Sequence, residues 1–553
     1  MTDSTSLDSP DTPLSDGNVG TDGVQNELLQ TTRTSDSEEA ERRLKTVETI
    51  VASDARQWDK DEHDWRSYSQ KIVLFATAEG GAGGKGGKGG DGSVAIGSID
   101  SGNGGDGGDG GHGGDAIATA GVASIQTGGG RDKISVFATA AGGDGGDGGA
   151  GGRGGFAVKS INSGNGGDGG DAGDGGAALS FIKDLSIDAG GGNDRINLVS
   201  TALGGSAGNG GSGGHKGHFK GSIDSGNGGD GGDAGHGGNA GSFIVDSSVN
   251  AGNGNDDIRL AVTADAASSG KSGSYGKGGS SAYGAHSGSG GSAGEGGSAS
   301  AGIVHVSVDA GQGNDELRIN LTAYVGKNGK GLSANTVASI ELTDNTFLGN
   351  DGDDTFILAS KINKTNSIFD VSGNTFDGGT GHDKFDLKGW AKAISLDFAN
   401  ELLDLGSGAS NTLKNFESIV GTSYADQFKF APHASGLKVT GGSGSDSYLV
   451  TIHDQVNDII SDFSGSSKGG DRLVIDDAVF SNLLGGAPIE LVSVNDVAAA
   501  SSASSHGYFI YDKSGAAAGS LYFDATGGAS SDAVDVILLA NKPSLSSADF
   551  YIV

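Results

Sequence analysis

Residues 127–143 read TGGGRDKISVFATAAGG: a glycine turn, then Asp132, then a nine-residue stretch of alternating character starting at Lys133. In that stretch Ile134, Val136 and Ala138 face one way and Ser135, Phe137 and Thr139 the other, the period of a β-strand. The pattern returns at a fixed step of 62 residues, as KIVLFATAEGG from Lys71, RINLVSTALGG from Arg195 and DIRLAVTADAA from Asp257. Ile72, Ile134, Ile196 and Ile258 share one column, and Leu74, Val136, Leu198 and Leu260 the next. A fixed period of this length means stacked units that contact mainly their neighbours. The columns predict parallel rungs of an all-β solenoid with an apolar ladder inside. Ser200 interrupts the third column.

The chain between these strands is mostly glycine in triplets, such as GGDGGDGGAGGRGG from Gly142. A second block, SINSGNGGDGGDAGDGG from Ser160, keeps the same 62-residue step as Ser98 and Ser222. A three-residue period without proline fits polyglycine II, a left-handed helix with a rise of about 3.1 Å per residue. Each unit then holds two antiparallel legs. Asp106, Asp109, Asp144, Asp147, Asp168, Asp171, Asp230 and Asp233 fall on every third position, about 9 Å apart along a leg. That is too far for two of them to chelate one ion, so they read as a solvated charged face, with weak cation binding between neighbouring legs as the alternative. His112, His215, His218 and His236 in these runs read as exposed filler. The threonine column Thr77, Thr139, Thr201, Thr263 and Thr322 reads as strand preference before it reads as an ice-ordering array.

The turns carry the chemistry. They recur as AGGGNDRIN from Ala189, AGNGNDDIR from Ala251, AGQGNDELR from Ala310, GNDGDDTFI from Gly349, GGTGHDKFD from Gly378 and GGSGSDSYL from Gly441. All follow G-G-x-G-x-D-x-U-x. Glycines allow positive φ and expose carbonyls, the aspartate supplies a hard oxygen, and the apolar residue enters the core. Calcium takes about six to eight such oxygens.

On these turns the chain resembles the RTX family, calcium-binding proteins exported by type I secretion. Residues from about 310 onward are most similar to the β-roll that follows the catalytic domain in serralysin-type proteases. NFESIVGTSYADQFKF from Asn415, GGDRLVIDDAVF from Gly469, GYFIYDKSG from Gly507 and AVDVILLA from Ala533 support this, as does the terminal ADFYIV, which looks like an uncleaved secretion signal. The resemblance implies calcium as cofactor. It implies ligand roles for Asp132, Asp194, Asp256, Asp315, Asp354, Asp383 and Asp446, helped by carbonyls of Gly129, Gly191, Gly352, Gly379, Gly381, Gly442 and Gly444. It also implies passage through a type I ABC exporter to an extracellular or cell-surface location. Family members place these nonapeptides in tandem, whereas the first copies here are 62 residues apart, so each leg pair must return the chain to one edge. Gln70 occupies the aspartate position of the first unit, which should bind nothing there.

Composition bounds the rest. The chain has 553 residues, 109 glycines, no cysteine, 34% hydrophobic residues and a formal charge of −34. That charge excludes nucleic acid as a natural partner and favours cations. Without cysteine there are neither disulfides nor thiolate zinc sites. No apolar run reaches the roughly 18 residues of a membrane-spanning helix, and the first 45 residues contain no apolar signal-peptide core. Enzyme signatures are missing: His63 is followed by Asp-Trp-Arg, so H-E-x-x-H is absent.

The expected organisation is a disordered tail over 1–35, a helical cap over 36–64 with Leu44, Val47, Ile50, Val51 and Trp58 on one face, the glycine-rich solenoid over 65–310, a β-roll over 311–454 and a C-terminal secretion domain over 455–553. The expected function is a non-enzymatic, calcium-stabilised structural or adhesive protein, with self-assembly or cell-surface polysaccharide as possible partners. A polysaccharide- or ice-binding module is the alternative, and a polysaccharide-acting enzyme a more distant one.

Overall fold

The computed structural model describes residues 70–553, apart from 97–99, 122–123, 160–161, 221–224, 279–284, 333–334, 365–366, 431–435, 451–457, 466–469, 481, 484–488, 501, 503–504 and 531. It also describes four backbone segments upstream, 25–33, 50–51, 57–59 and 64–66. The architecture is the expected all-β solenoid with parallel rungs.

One unit runs as follows. The long strand Lys133–Ala141 lies in a front sheet. A glycine leg leads out to the two-residue strand Ala157–Val158, and a second leg leads back. The chain then forms Ala178–Lys183 in a back sheet, turns at Asp184 with φ of 52°, and adds Ser186–Asp188 to an edge sheet. The glycine turn follows, and Arg195–Leu203 stacks on Lys133–Ala141 in direct register. The front sheet packs on the back sheet across the apolar ladder.

Register is fixed by what the ladder buries. Ile72, Ile134, Ile196 and Ile258 are all at most 1% exposed. A slip of one residue would turn this column outward. Ser200 does not leave a defect. Its hydroxyl lies 2.9 Å from the Ser180 hydroxyl and accepts from Ser242 at 2.9 Å, so three serines close a polar cluster across the two sheets.

The legs account for the glycine. Return-leg amides of Gly105, Gly108, Gly111 and Gly114 donate to carbonyls of Gly90, Gly87, Gly84 and Gly81, which is antiparallel pairing every third residue. The intervening amides pair in parallel with the same leg of the next unit, as Gly107 does with Asp168. Close approach forbids side chains there: a Cβ on Gly149 would sit 2.0 Å from the Gly87 carbonyl oxygen. The triplet aspartates take the third amide of each turn. Asp168, Asp171 and Ala177 donate their amides to carboxylates of Asp106, Asp109 and Asp115, and Asp174 donates to His112 Nδ1. Every backbone N–H from Gly166 to Ala177 therefore has a partner. The exposed charged face expected from sequence is present, and it also carries this hydrogen-bonding role, which composition alone did not indicate.

The units shorten along the stack. Rung partners are 62 residues apart for Lys133 and Arg195, 59 for Asp257 and Glu316, 39 for Glu316 and Thr355, and 29 for Thr355 and Lys384. The same front and edge sheets run on without interruption into the C-terminal region. There Tyr508–Asp512, Ser520–Asp524 and Val534–Leu539 pair antiparallel, and Phe550–Ile552 closes the edge sheet beside Arg472–Ile475.

Two N-terminal expectations are corrected where residues are described. Gln25–Arg33, expected in a disordered tail, is a strand that pairs with Lys71–Glu79. Within the expected helical cap, Ile50–Val51 pairs with Ile125–Gln126, and Gln57–Asp59 forms an antiparallel pair with Asp64–Arg66. The physical reason is the open first rung. Its edge strand presents a row of backbone donors and acceptors that extended chain satisfies and a helix does not. The remainder of both segments, Leu44 and Val47 included, lies outside the described residues.

Candidate ion-binding edge

The glycine turns stack along one edge, as the 62-residue spacing demanded. Gly129, Gly191, Asn253, Gln312, Asp351 and Thr380, the middle residues of successive turns, form a continuous row of parallel bridges. Positive φ falls on either side of them, at Gly190 and Gly192 (88° and 131°), Gly252 and Gly254, and Gly311 and Gly313. Gly352, Gly379, Gly381, Gly442 and Gly444 hold the same conformation in the later turns. The amide of Gly191 donates to the Gly128 carbonyl at 2.8 Å, and that of Gly130 to the Gly191 carbonyl at 2.7 Å. Gly191, expected to offer its carbonyl to an ion, thus already uses it within the stack. Carbonyls of the fourth turn position project up the stack instead: a Cβ on Gly381 would lie 2.0 Å from the Gly352 oxygen.

Directly after each turn an aspartate points inward. Asp132, Asp194, Asp256, Asp315, Asp354 and Asp383 are each at most 3% exposed and form one ladder. The amide of Asp194 donates to Asp256 Oδ1 at 2.6 Å, that of Asp256 to Asp315 at 2.7 Å, that of Asp315 to Asp354 at 2.8 Å and that of Asp354 to Asp383 at 2.7 Å. Gln70 fills the aspartate position at the start: its amide donates to Asp132 Oδ1 and its side-chain amide to the Thr127 carbonyl. Glu417 takes over at the far end, accepting from the Asp383 amide at 2.8 Å.

The second carboxylate oxygen is the unusual one. Oδ2 of Asp194, Asp256, Asp315, Asp354 and Asp383 is buried and has no hydrogen-bond donor. Burial pushes these carboxyls up, to about 7 for Asp194, Asp315 and Asp383 and about 6 for Asp256 and Asp354, against the pull of the amide on Oδ1. For Asp194, Asp315 and Asp383, neighbouring carboxylates of the ladder add to the rise.

Asp446 does not join this ladder. It sits on the edge-sheet side, where the Asp426 amide donates to it at 2.9 Å and its own amide donates to Asp471 at 3.0 Å. Burial pushes Asp446 to about 7 as well. Asp426 and Asp471 fall outside the G-G-x-G-x-D motif because its first two positions read Gly421-Thr422 before Asp426 and Ser466-Ser467 before Asp471. The D-x-U-x remainder, Asp426-Gln427-Phe428-Lys429 and Asp471-Arg472-Leu473-Val474, was the signal available.

The donor chemistry suits a hard cation, since buried carboxylate oxygens without a donor lie beside turns built of backbone carbonyls. Three acidic or histidine side chains do not converge at any one point among the described residues. An ion here would therefore draw on Asp oxygens one rung at a time and complete its shell with backbone carbonyls. The histidines stay with the legs: Nδ1 of His112, His215 and His236 accepts the amide of Asp174, Lys277 and Glu295. His218 is exposed.

Neither a protein-family model nor a curated protein matches this chain.

Proposed function

We propose that this protein is a non-enzymatic extracellular scaffold of the RTX type, whose folding is driven by calcium after export through a type I channel. The observation that carries the reading is the ladder of buried aspartates whose Oδ2 atoms lack donors. Asp194, Asp256, Asp315, Asp354 and Asp383 would hold the ions, with Asp446 in the second ladder and turn carbonyls such as those of Gly352 and Gly381 as further ligands. Calcium would supply positive charge to carboxylates that the fold has removed from water.

The chain's own residues do the rest. Oδ1 of each aspartate orders the amide of the preceding rung, so a turn closes only when its neighbour has formed. In an unfolded chain with a formal charge of −34 the aspartates remain hydrated and repel one another. A ligand that binds only the folded state adds about 2.7 kcal/mol per site at 100-fold over its dissociation constant.

The test is far-ultraviolet circular dichroism of the full chain at pH 8, in calcium and in EGTA. The expected result is β-structure that depends on calcium and is not restored by magnesium. A protein equally folded and equally heat-stable in EGTA would overturn the reading.

A further inference from the structure

The outward face of the back sheet holds side chains that neither the turns nor the legs use. They fall into columns, one residue per rung. One column runs Thr119, Phe181, Phe243, Gly302, Glu341 and Asp370 in direct register. Phe181 and Phe243 stack with centroids 5.5 Å apart and an interplanar angle of 16°, and both are half-buried. Phe243 leans over two glycines. A Cβ on Gly302 would lie 2.7 Å from its Cδ1, and one on Gly241 would lie 3.1 Å from its Cε2. An aromatic ring over glycine restores packing that the missing side chain forfeits, and it keeps the ring low against the sheet. Leu179 and Ile117 extend the apolar strip in the next column, at 37% and 36% exposed.

Past Gly302 the column changes character. Glu341 is on the next strand and Asp370 on the one after, with rungs about 4.8 Å apart. Burial holds Glu341 above the usual carboxylate range, reinforced by Asp370. At the adjacent corner His305 lies between Asp246 (3.3 Å) and Asp344 (3.6 Å). The strip is therefore apolar and aromatic at one end and rich in hydrogen-bond acceptors at the other.

We propose that this strip binds an uncharged polysaccharide, with sugar rings packed on Phe181 and Phe243 and hydroxyls hydrogen-bonded to Glu341 and Asp370 across the Gly302 gap. A pyranose offers the matching pair of features, an apolar C–H face and a rim of hydroxyl donors. The charge decides against an anionic glycan. Glu341, Asp370, Asp246 and Asp344 border the strip, and the whole chain carries −34. The strip crosses successive strands from Thr119 to Asp370 at a rung spacing of about 4.8 Å, which suits a long chain better than a small molecule. The inference goes beyond cation-driven folding and does not rest on it.

The test uses the full chain in calcium, with cellulose and chitin particles as neutral probes and alginate as the anionic one. Variants Phe243→Leu and Glu341→Gln are carried alongside, each checked for an unchanged melting curve. Leucine still covers Gly302 but removes the aromatic ring. The expected result is capture by at least one neutral polysaccharide, weakened about 5-fold in Phe243→Leu and weakened also in Glu341→Gln, with no capture by alginate. Absence of capture by both neutral probes, capture indifferent to both variants, or capture by alginate alone would each overturn the proposal.

Discussion

Replacing Asp315 by asparagine should stabilise the calcium-free protein at pH 8. Asp315 is buried, its Oδ1 accepts the Asp256 amide at 2.7 Å, and its Oδ2 has no donor. Burial, with Asp256, Asp354 and Asp309 nearby, pushes its carboxyl to about 7. An acid whose folded value is raised binds its proton more tightly in the folded state. Its contribution is therefore present at pH 4 and below, and drains away as pH rises from 4 to 7. A rise from the ordinary 3.8 to about 7 corresponds to about 4 kcal/mol at pH 8. Asparagine keeps the Oδ1 acceptor and cannot ionise, so most of that loss should be recovered, about 2–4 kcal/mol by the same conversion. Alanine also removes the charge but leaves the Asp256 amide without its acceptor, which costs about 1–3 kcal/mol. Repeats open locally, so the assay is hydrogen exchange of Glu316–Tyr324, compared between variants at one pH. In EGTA at pH 8 the expected order of protection is Asp315→Asn above Asp315→Ala, with Asp315→Asn also above the natural chain. At pH 4 the asparagine gain should vanish. In calcium at pH 8 the natural chain should regain the lead. Asp315→Asn no better protected than the natural chain in EGTA at pH 8 would refute the claim that this carboxylate is held against its solvation.

Gly149→Ala should strongly destabilise the legs, because the new Cβ meets backbone at 2.0 Å, whereas Gly87→Ala meets nothing within 4 Å and should be neutral or stabilising by about 0.4–1 kcal/mol; paired melting curves check this. The legs should respond to pH in the opposite sense to the turns. Backbone amides of Arg153, Asn209 and Ser289 hold Asp91, Asp147 and Asp230 below the usual carboxylate range, helped by Lys88 and Lys85 at the first two. Their contribution is present above pH 4 and lost as pH falls through the folded values, so leg amides should lose exchange protection on acidification while the turns hold theirs. Ser200→Ala should cost about 1–3 kcal/mol by stripping the Ser242 hydroxyl of its acceptor, and adding Ser180→Ala and Ser242→Ala should recover part of it, read by denaturant melts.

The solenoid was legible because its evidence is one-dimensional. Ile134, Ile196 and Ile258 align by counting, and the same count puts Gly129 beside Gly191. What counting could not supply was the use of each polar group. Gly191 looked like an ion ligand, yet its carbonyl is occupied by the Gly130 amide. Asp446 looked equivalent to Asp383 by motif, yet the strand that follows it lies in the edge sheet, which places it in another ladder with Asp426 and Asp471. Nor does apolar periodicity over 36–64 decide between helix and strand. At Ile50–Val51 the open edge of Ile125–Gln126 decides it, and that edge exists only once the stack is built.

One residue type does two opposite jobs in this fold. In the legs an aspartate every third residue remains in water and gives one oxygen to the amide of the next leg. At Asp230 the amide and hydroxyl of Ser289 hold the carboxyl below the usual carboxylate range. In the turns the same side chain makes the same bond to an amide one rung away, yet it is buried, and its second oxygen has no donor. The amide bond is common to both, so it is burial, reinforced by neighbouring carboxylates at Asp194, Asp315 and Asp383, that raises the turn carboxyls. This separates the two halves of each repeat physically. In the legs the backbone amides from Gly166 to Ala177 are all paired, and the leg carboxylates face solvent. The turns carry a debt of unsolvated oxygens that a proton or a divalent ion can settle. Length changes obey the same division. Between the third and fourth units the outgoing legs stay 62 residues apart, as Lys277 and His215 do, while the returning legs are 59 apart, as His286 and Asn227 are. The three-residue difference lies in sequence between Lys277 and His286, and the aspartate ladder continues from Asp256 to Asp315 without a break.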